Sequence, residues 1–249
     1  ASSVMSKKIA SGASHILLDV KYGRGAFMSS IERARSLAVK MVDIGKRVGK
    51  PTVAIITCMD EPLGNAIGNS LEVEEALSVL RGEGGSEALK EVVFAICKEM
   101  LKLADPSLDQ DTIYHRLHYA YQSGEAFQKF KQMIEAQGGS LDAPLPRAKI
   151  STSNKSNVSG YIVDIDALLL GRTAVEIGAG RKIMGDSLDL SAGIVLKVRS
   201  GDYVTSEQEL AVVHSNSILP DSQASSMQNS FRISMVKRDA QPLIIDIVR

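Results

Sequence analysis

Residues 15–27, HILLDVKYGRGAF, decide the fold. Ile16, Leu17, Leu18 and Val20 make a short apolar run, which predicts a strand covered on both faces. Gly23 and Gly25 behind it predict a tight turn with close backbone approach at the strand's carboxyl end. Upstream, residues 2–11 read as a helix in which Val4, Met5 and Ile9 alternate with Ser3 and Lys7, and Gly12 is a natural stop. Downstream, residues 29–49 place Ile31, Ala34, Leu37, Ala38, Met41 and Val42 at helical spacing. Ser29 or Ser30 can cap that helix and Gly49 can end it. PTVAIITC, residues 51–58, is a second buried strand, and a helix is expected from about Leu63 to Leu80.

Helix, strand, helix, strand, helix is the order of crossover units. It predicts an α/β fold with a mostly parallel or mixed sheet flanked by helices. Such sheets bind ligands at the carboxyl ends of their strands, here the loops KYGRGAF (21–27) and CMDEPLGNAIGN (58–69). Further helices are expected near 86–104 and 125–137. Two prolines and a polar cluster in APLPRAKISTSNKSN, residues 143–157, read as a linker. Beyond it, β-branched runs punctuated by Gly-Asp predict a smaller, β-rich α+β region. The expected organisation is an α/β domain over 1–145 and a C-terminal α+β domain over 151–249, without internal repeats.

Lys+Arg and Asp+Glu both number 29, so the formal net charge is zero, which argues against a general nucleic-acid surface. Aromatics are only 4% of residues and Trp is lacking, so a ring-stacking site would rest on a few Phe and Tyr. Cys58 and Cys97 lack metal-ligand spacing and read as buried, reduced thiols. No apolar run is long enough for a bilayer, and no signal peptide is evident. A cytoplasmic location is expected, although Ala1 opens the sequence without a methionine and a targeting segment ahead of it stays open. His15, His115, His118 and His214 do not form a metal-like cluster; His115 and His118 share a helix face, where a surface or packing role is expected.

Four blocks carry a family resemblance: SVMSKKIASG (3–12), LLDVKYGRGAFM (17–28), MDEPLGNAIGNSLEVEEAL (59–77) and GYIVDIDALLLGRTAVEIGAGR (160–181). In this order they resemble the pyrimidine nucleoside phosphorylase and thymidine phosphorylase family. The resemblance implies a pentosyltransferase of nucleoside salvage. It would cleave thymidine, uridine or deoxyuridine with phosphate, giving the free base and a (deoxy)ribose 1-phosphate. It also implies a small helical domain beside the α/β domain, an active site between them, a homodimer, and no organic cofactor.

By motif match, Ser3 and Lys7 take positions that hydrogen-bond the pyrimidine ring, and Phe27 a position lining the base pocket. The Leu63 and Ala66 carbonyls and the Glu75 carboxylate match the family's monovalent-cation site, expected to take potassium. The physics suits these roles. Residues at i and i+4 share a helix face. An ammonium aimed at a carbonyl of the departing base stabilises charge that grows in the transition state. An apolar wall at Phe27 would lower the local dielectric.

The resemblance further implies that the phosphate-binding residues, an arginine that helps hold the base, and the remaining cation ligands lie outside residues 1–249. This chain is therefore expected to be inactive alone and to bind the cation weakly. Tyr22 and Arg24 depart from the family's usual small or aliphatic residues. Arg24 would matter if the substrate carried a phosphate, as in the related archaeal AMP phosphorylases. Each assignment has a plainer counterpart: Lys7 as a solvated helix lysine, Phe27 as a core residue, Glu75 as a surface glutamate, and Asp19 with Lys21 as a structural ion pair, which is the preferred reading of that pair. Residues 193–215 resemble biotinyl- and lipoyl-type sandwich domains but lack the hairpin lysine those cofactors need, so shared topology is expected there. A non-catalytic interaction module is the alternative from another class.

Overall fold

The computed structural model describes residues 1–239 and 241–249. In chain order the elements are α1 (Ser2–Ala10), β1 (Ile16–Tyr22), α2 (Ile31–Arg47), β2 (Thr52–Cys58), β3 (Ala66–Ile67), α3 (Asn69–Leu80), α4 (Glu87–Ala104), α5 (Gln110–Gln122) and α6 (Glu125–Ala136). They continue with β4 (Ile150–Lys155), β5 (Gly160–Ile165), α7 (Ala167–Glu176), β6 (Gly193–Leu196), β7 (Tyr203–Val204), β8 (Glu209–Ser215), α8 (Asp221–Asn229), β9 (Phe231–Ser234) and β10 (Ile244–Val248). The fold is α/β with a mixed sheet flanked by helices, plus a smaller β-rich part. Compactness does not follow chain order. One unit comprises 1–59, 87–123 and 242–249; the other comprises 60–86 and 124–241.

The first unit is built on a three-stranded sheet ordered β1-β2-β10. β1 and β2 are parallel, with Leu18 beside Ala54, and β10 runs antiparallel to β2. β2 is the central strand and is buried along nearly its whole length, which is why it reads as continuous Val-Ala-Ile-Ile. β1 departs from the expectation of two covered faces. It is an edge strand, with Ile16, Leu18 and Val20 buried and Asp19 exposed. Ile16, Leu18, Val20, Ala54 and Ile56 meet Ala34, Ala38, Met41 and Val42 of α2 and Met5 of α1 in one core. The small residues Ala34 and Ala38 let the α2 backbone lie close to the sheet. Ser30 caps α2 by accepting from the Arg33 amide.

On the opposite face of β1 and β2, Lys21 pairs with Asp19 at 2.7 Å and donates to Thr57, whose hydroxyl donates to Asp19. This is the structural ion pair expected there, closed by a fully buried threonine. β10 has no strand assignment in the sequence reading. It closes the sheet, and behind it Arg249 donates to Glu99 of α4 at 2.7 Å. Residues 110–122 are helical, capped by the Asp109 carboxylate on the Thr112 amide.

The second unit holds two antiparallel sheets, β3-β6-β8-β4 and β7-β5-β9. Ile162, Ile165, Leu170, Ile194, Leu196, Val204, Leu210, Val213, Met227 and Phe231 form its core. Asp166 starts α7 by accepting from the Leu168 and Leu169 amides, which turns the apolar run after it into a helix. Residues 143–157 are not all linker: Ile150–Lys155 is a strand paired with β8, and its polarity follows from its place at the edge of the sheet, where Ser151, Thr152 and Ser153 are all exposed. The helix expected from Leu63 starts only at Asn69, because Gly68 takes φ +130, outside the helical region.

Candidate active site

In the first unit, Ser3 and Lys7 lie on α1, both exposed, while Met5 between them is fully buried. Met5 and Ile9 join the same core as Ile16, Leu18 and Val20. α1 therefore packs its buried face on this core, beside α2. One buried anchor on a short helix fixes the opposite face, and Ser3 and Lys7 share that face one turn apart. Among the described residues the Lys7 ammonium makes no hydrogen bond or ion pair. Lys7 and Lys8 also sit in the last turn of α1, where positive charge complements the helix dipole. Exposure by itself suits a ligand-holding pair and a solvated helix face equally.

The turn after β1 is latched to the end of β2. The Gly23 amide donates to the Met28 carbonyl, Gly25 to Met59, and Met59 to Tyr22. Gly23 adopts φ +120, which a side chain would resist. The latch holds Phe27 out of the core, at 101% exposure. Phe27 is thus no part of this unit's core, and its ring is open to contact just past the carboxyl end of β1.

In the second unit, the structure brings Leu63, Ala66 and Glu75 together. The Glu75 carboxylate accepts from the backbone amides of Asn65 at 2.8 Å, Ala66 at 2.9 Å and Ser86 at 3.2 Å. Ser86 Oγ donates to the Leu63 carbonyl at 2.9 Å. Gly64 is required beside it: a Cβ there would stand 2.5 Å from Glu75 Oε2. Glu75 is therefore no idle surface glutamate. It fastens both ends of the 60–86 excursion.

Sequence reasoning missed the residue on the other side of this loop. Arg199 donates through Nη1 to the Pro62 carbonyl at 2.6 Å, through Nη2 to the Leu63 carbonyl at 2.9 Å, and through Nε to Asn65 Oδ1 at 2.9 Å. Its own amide donates to Asp202, and neighbouring Ser200 donates to Glu61 in a very short contact. Burial draws the guanidinium below its ordinary value, against the pull of Glu75, Glu61 and Asp202. Burial also pushes the Glu61 carboxyl up, with Asp164 adding to the effect and the Ser200 bond opposing it. The sequence signal was weak: Arg199 lies just beyond an apolar strand, among Lys197, Ser200 and Asp202, and only its burial shows that it requires partners.

As folded, the Leu63 carbonyl has no free acceptor position for a monovalent cation. The Leu63 carbonyl has two lone pairs, and Ser86 and Arg199 use both. Among the described residues no group of three or more His, Cys, Asp or Glu could hold a metal ion. No described helix is long and apolar enough to cross a membrane.

Two family models match the chain. "Glycosyl transferase family, a/b domain" covers residues 2–127, and "Pyrimidine nucleoside phosphorylase C-terminal domain" covers 161–234. The chain is 42% identical to a pyrimidine-nucleoside phosphorylase of Geobacillus stearothermophilus over 251 residues, 99% of this chain and 58% of that protein. It is 42% identical to one from Staphylococcus epidermidis over 253 residues, 100% of this chain and 58% of the relative. A third, from Staphylococcus haemolyticus, is 44% identical over 221 residues, 87% of this chain and 51% of the relative. The chain thus spans little more than half the length of these relatives.

Proposed function

The chain belongs to the pyrimidine nucleoside phosphorylase and thymidine phosphorylase family, and on that premise we propose that it supplies the base-holding edge of an enzyme that cleaves pyrimidine nucleosides with phosphate. The observation that carries this reading is the pairing of Ser3 and Lys7 on one exposed face of α1, opposite its buried Met5. A pyrimidine offers adjacent N–H and C=O groups. A hydroxyl can accept from the first and an ammonium donates to the second. As phosphate attacks the anomeric carbon, the glycosidic bond breaks and its electron pair moves onto the base. Lys7 stabilises the negative charge that collects on the carbonyl oxygen. Because that charge is larger in the transition state, the interaction speeds the chemical step as well as binding. Phe27 offers an apolar face to the ring.

Uridine, thymidine and deoxyuridine are the proposed nucleosides, phosphate the cosubstrate, and a homodimer the proposed assembly. The complete polypeptide should release free base from uridine or thymidine only when phosphate is present. Lys7→Ala should lower kcat by about 10²- to 10³-fold, the usual cost of one electrostatic donor. Ser3→Ala should act mainly on KM. A Lys7→Ala enzyme with undiminished kcat, or base release without phosphate, would remove this reading.

A further inference from the structure

We infer that Arg199 is the resident cation of the loop at residues 62–65, occupying with its own side chain the role that an alkali ion would otherwise fill. Three oxygens converge on the guanidinium: the Pro62 and Leu63 carbonyls and the Asn65 side-chain carbonyl, at 2.6, 2.9 and 2.9 Å. Oxygens turned toward one point need a positive charge there. A planar fork with five N–H donors meets three of them at once without stripping water from an ion. Ser86 also donates to the Leu63 oxygen, which leaves that oxygen no lone pair for a further ligand.

Carboxylates surround the guanidinium. Glu75 holds the Asn65 and Ala66 amides of the same loop, and Glu61 and Asp202 lie close enough to favour the charged guanidinium. One loop is thereby held from two sides, its amides on a carboxylate and its carbonyls on a guanidinium.

Arg199 is a positioning residue and touches no reacting atom. The inference does not depend on the base-holding reading, and its test uses no turnover. Thermal unfolding of the full chain is followed in KCl and in choline chloride of equal ionic strength, together with amide hydrogen exchange at Leu63, Asn65 and Ala66. The wild type should melt at the same temperature in both salts. An ion-dependent site would raise the midpoint in KCl by about 5–10 °C at about a hundredfold excess over its dissociation constant. Arg199→Met should lose amide protection in this loop, and Arg199→Lys, which keeps the charge without the fork, should recover part of it. A potassium-specific rise in the wild type would overturn the inference. So would full protection in Arg199→Met. If Arg199→Met does not fold, the wild-type salt comparison and a loss of protection smaller in Arg199→Lys than in Arg199→Ala decide the matter.

Discussion

Replacing Glu75 by Gln tests whether the 60–86 segment is held by a carboxylate. The two side chains have the same shape, so packing is kept and only charge and acceptors change. Glu75 Oε1 accepts from Asn65 and Ser86, and Oε2 from Ala66. Glutamine retains one acceptor oxygen and turns an amino group toward one of these donors. An unsatisfied buried donor costs about 1–3 kcal/mol, and the remaining bonds lose their charge assistance, worth about 1 kcal/mol together at a partly exposed site. The sum is about 2–4 kcal/mol. For a chain of this size it lowers the midpoint of the affected transition by about 4–16 °C. Hydrogen exchange gives the local readout: the Asn65, Ala66 and Ser86 amides should exchange about 30- to 1000-fold faster, the same energy read as a ratio. Glu75→Asp, shorter by one bond of about 1.5 Å, should fare little better although it keeps the charge. Unchanged exchange at these amides, with a melting point within about 2 °C of wild type, would refute the reasoning.

Three other outcomes follow from charges and thiols held by the fold. Burial raises the folded-state pKa of Glu61 above its ordinary 4.5. Its contribution is therefore complete below that value and lost as pH rises through the folded pKa. Glu61→Gln, which can still accept from Ser200, should match wild type in acid and exceed it at neutral pH in urea melts at several pH values. Arg249→Ala leaves the Glu99 carboxylate, only 6% exposed, without its partner. It should cost about 2–3 kcal/mol, less than a fully buried pair because the arginine is half exposed, and adding Glu99→Gln should restore most of that. Burial also raises the Cys97 thiol above 9.0. Iodoacetamide at mildly alkaline pH should label it much more slowly in the native chain than in urea, as peptide mapping would show.

Much of the first unit was legible because its pattern is local. The α2 stripe of Ala34, Ala38, Met41 and Val42 and the run in β2 each state their own burial. β1 was harder. Three apolar residues in sequence suggest two covered faces, whereas Asp19 is exposed on the second. β10 could not be read, since a short Ile-rich segment carries no mark of the strand it joins far back in the chain. The exposed pair on α1 was legible through spacing and family blocks together. The setting of Glu75 was not, because its partners at 65, 66 and 86 and the arginine at 199 meet through space, and no periodicity links them. Residues 63–68 were expected to be helical, yet Glu75 holds the Asn65 and Ala66 amides in a loop and Gly68 breaks the path into α3.

The interleaving of the two units bears on how such a chain is made. β2 emerges from the ribosome long before β10, which flanks it, so one edge of the central strand stays open through most of synthesis. The second unit finishes its own sheets before that final strand appears. Closing the first sheet is thus a late, long-range step of the kind that folds slowly. A ribosome stalled near residue 240 would leave β2 as a bare apolar edge, the surface on which neighbouring chains stick.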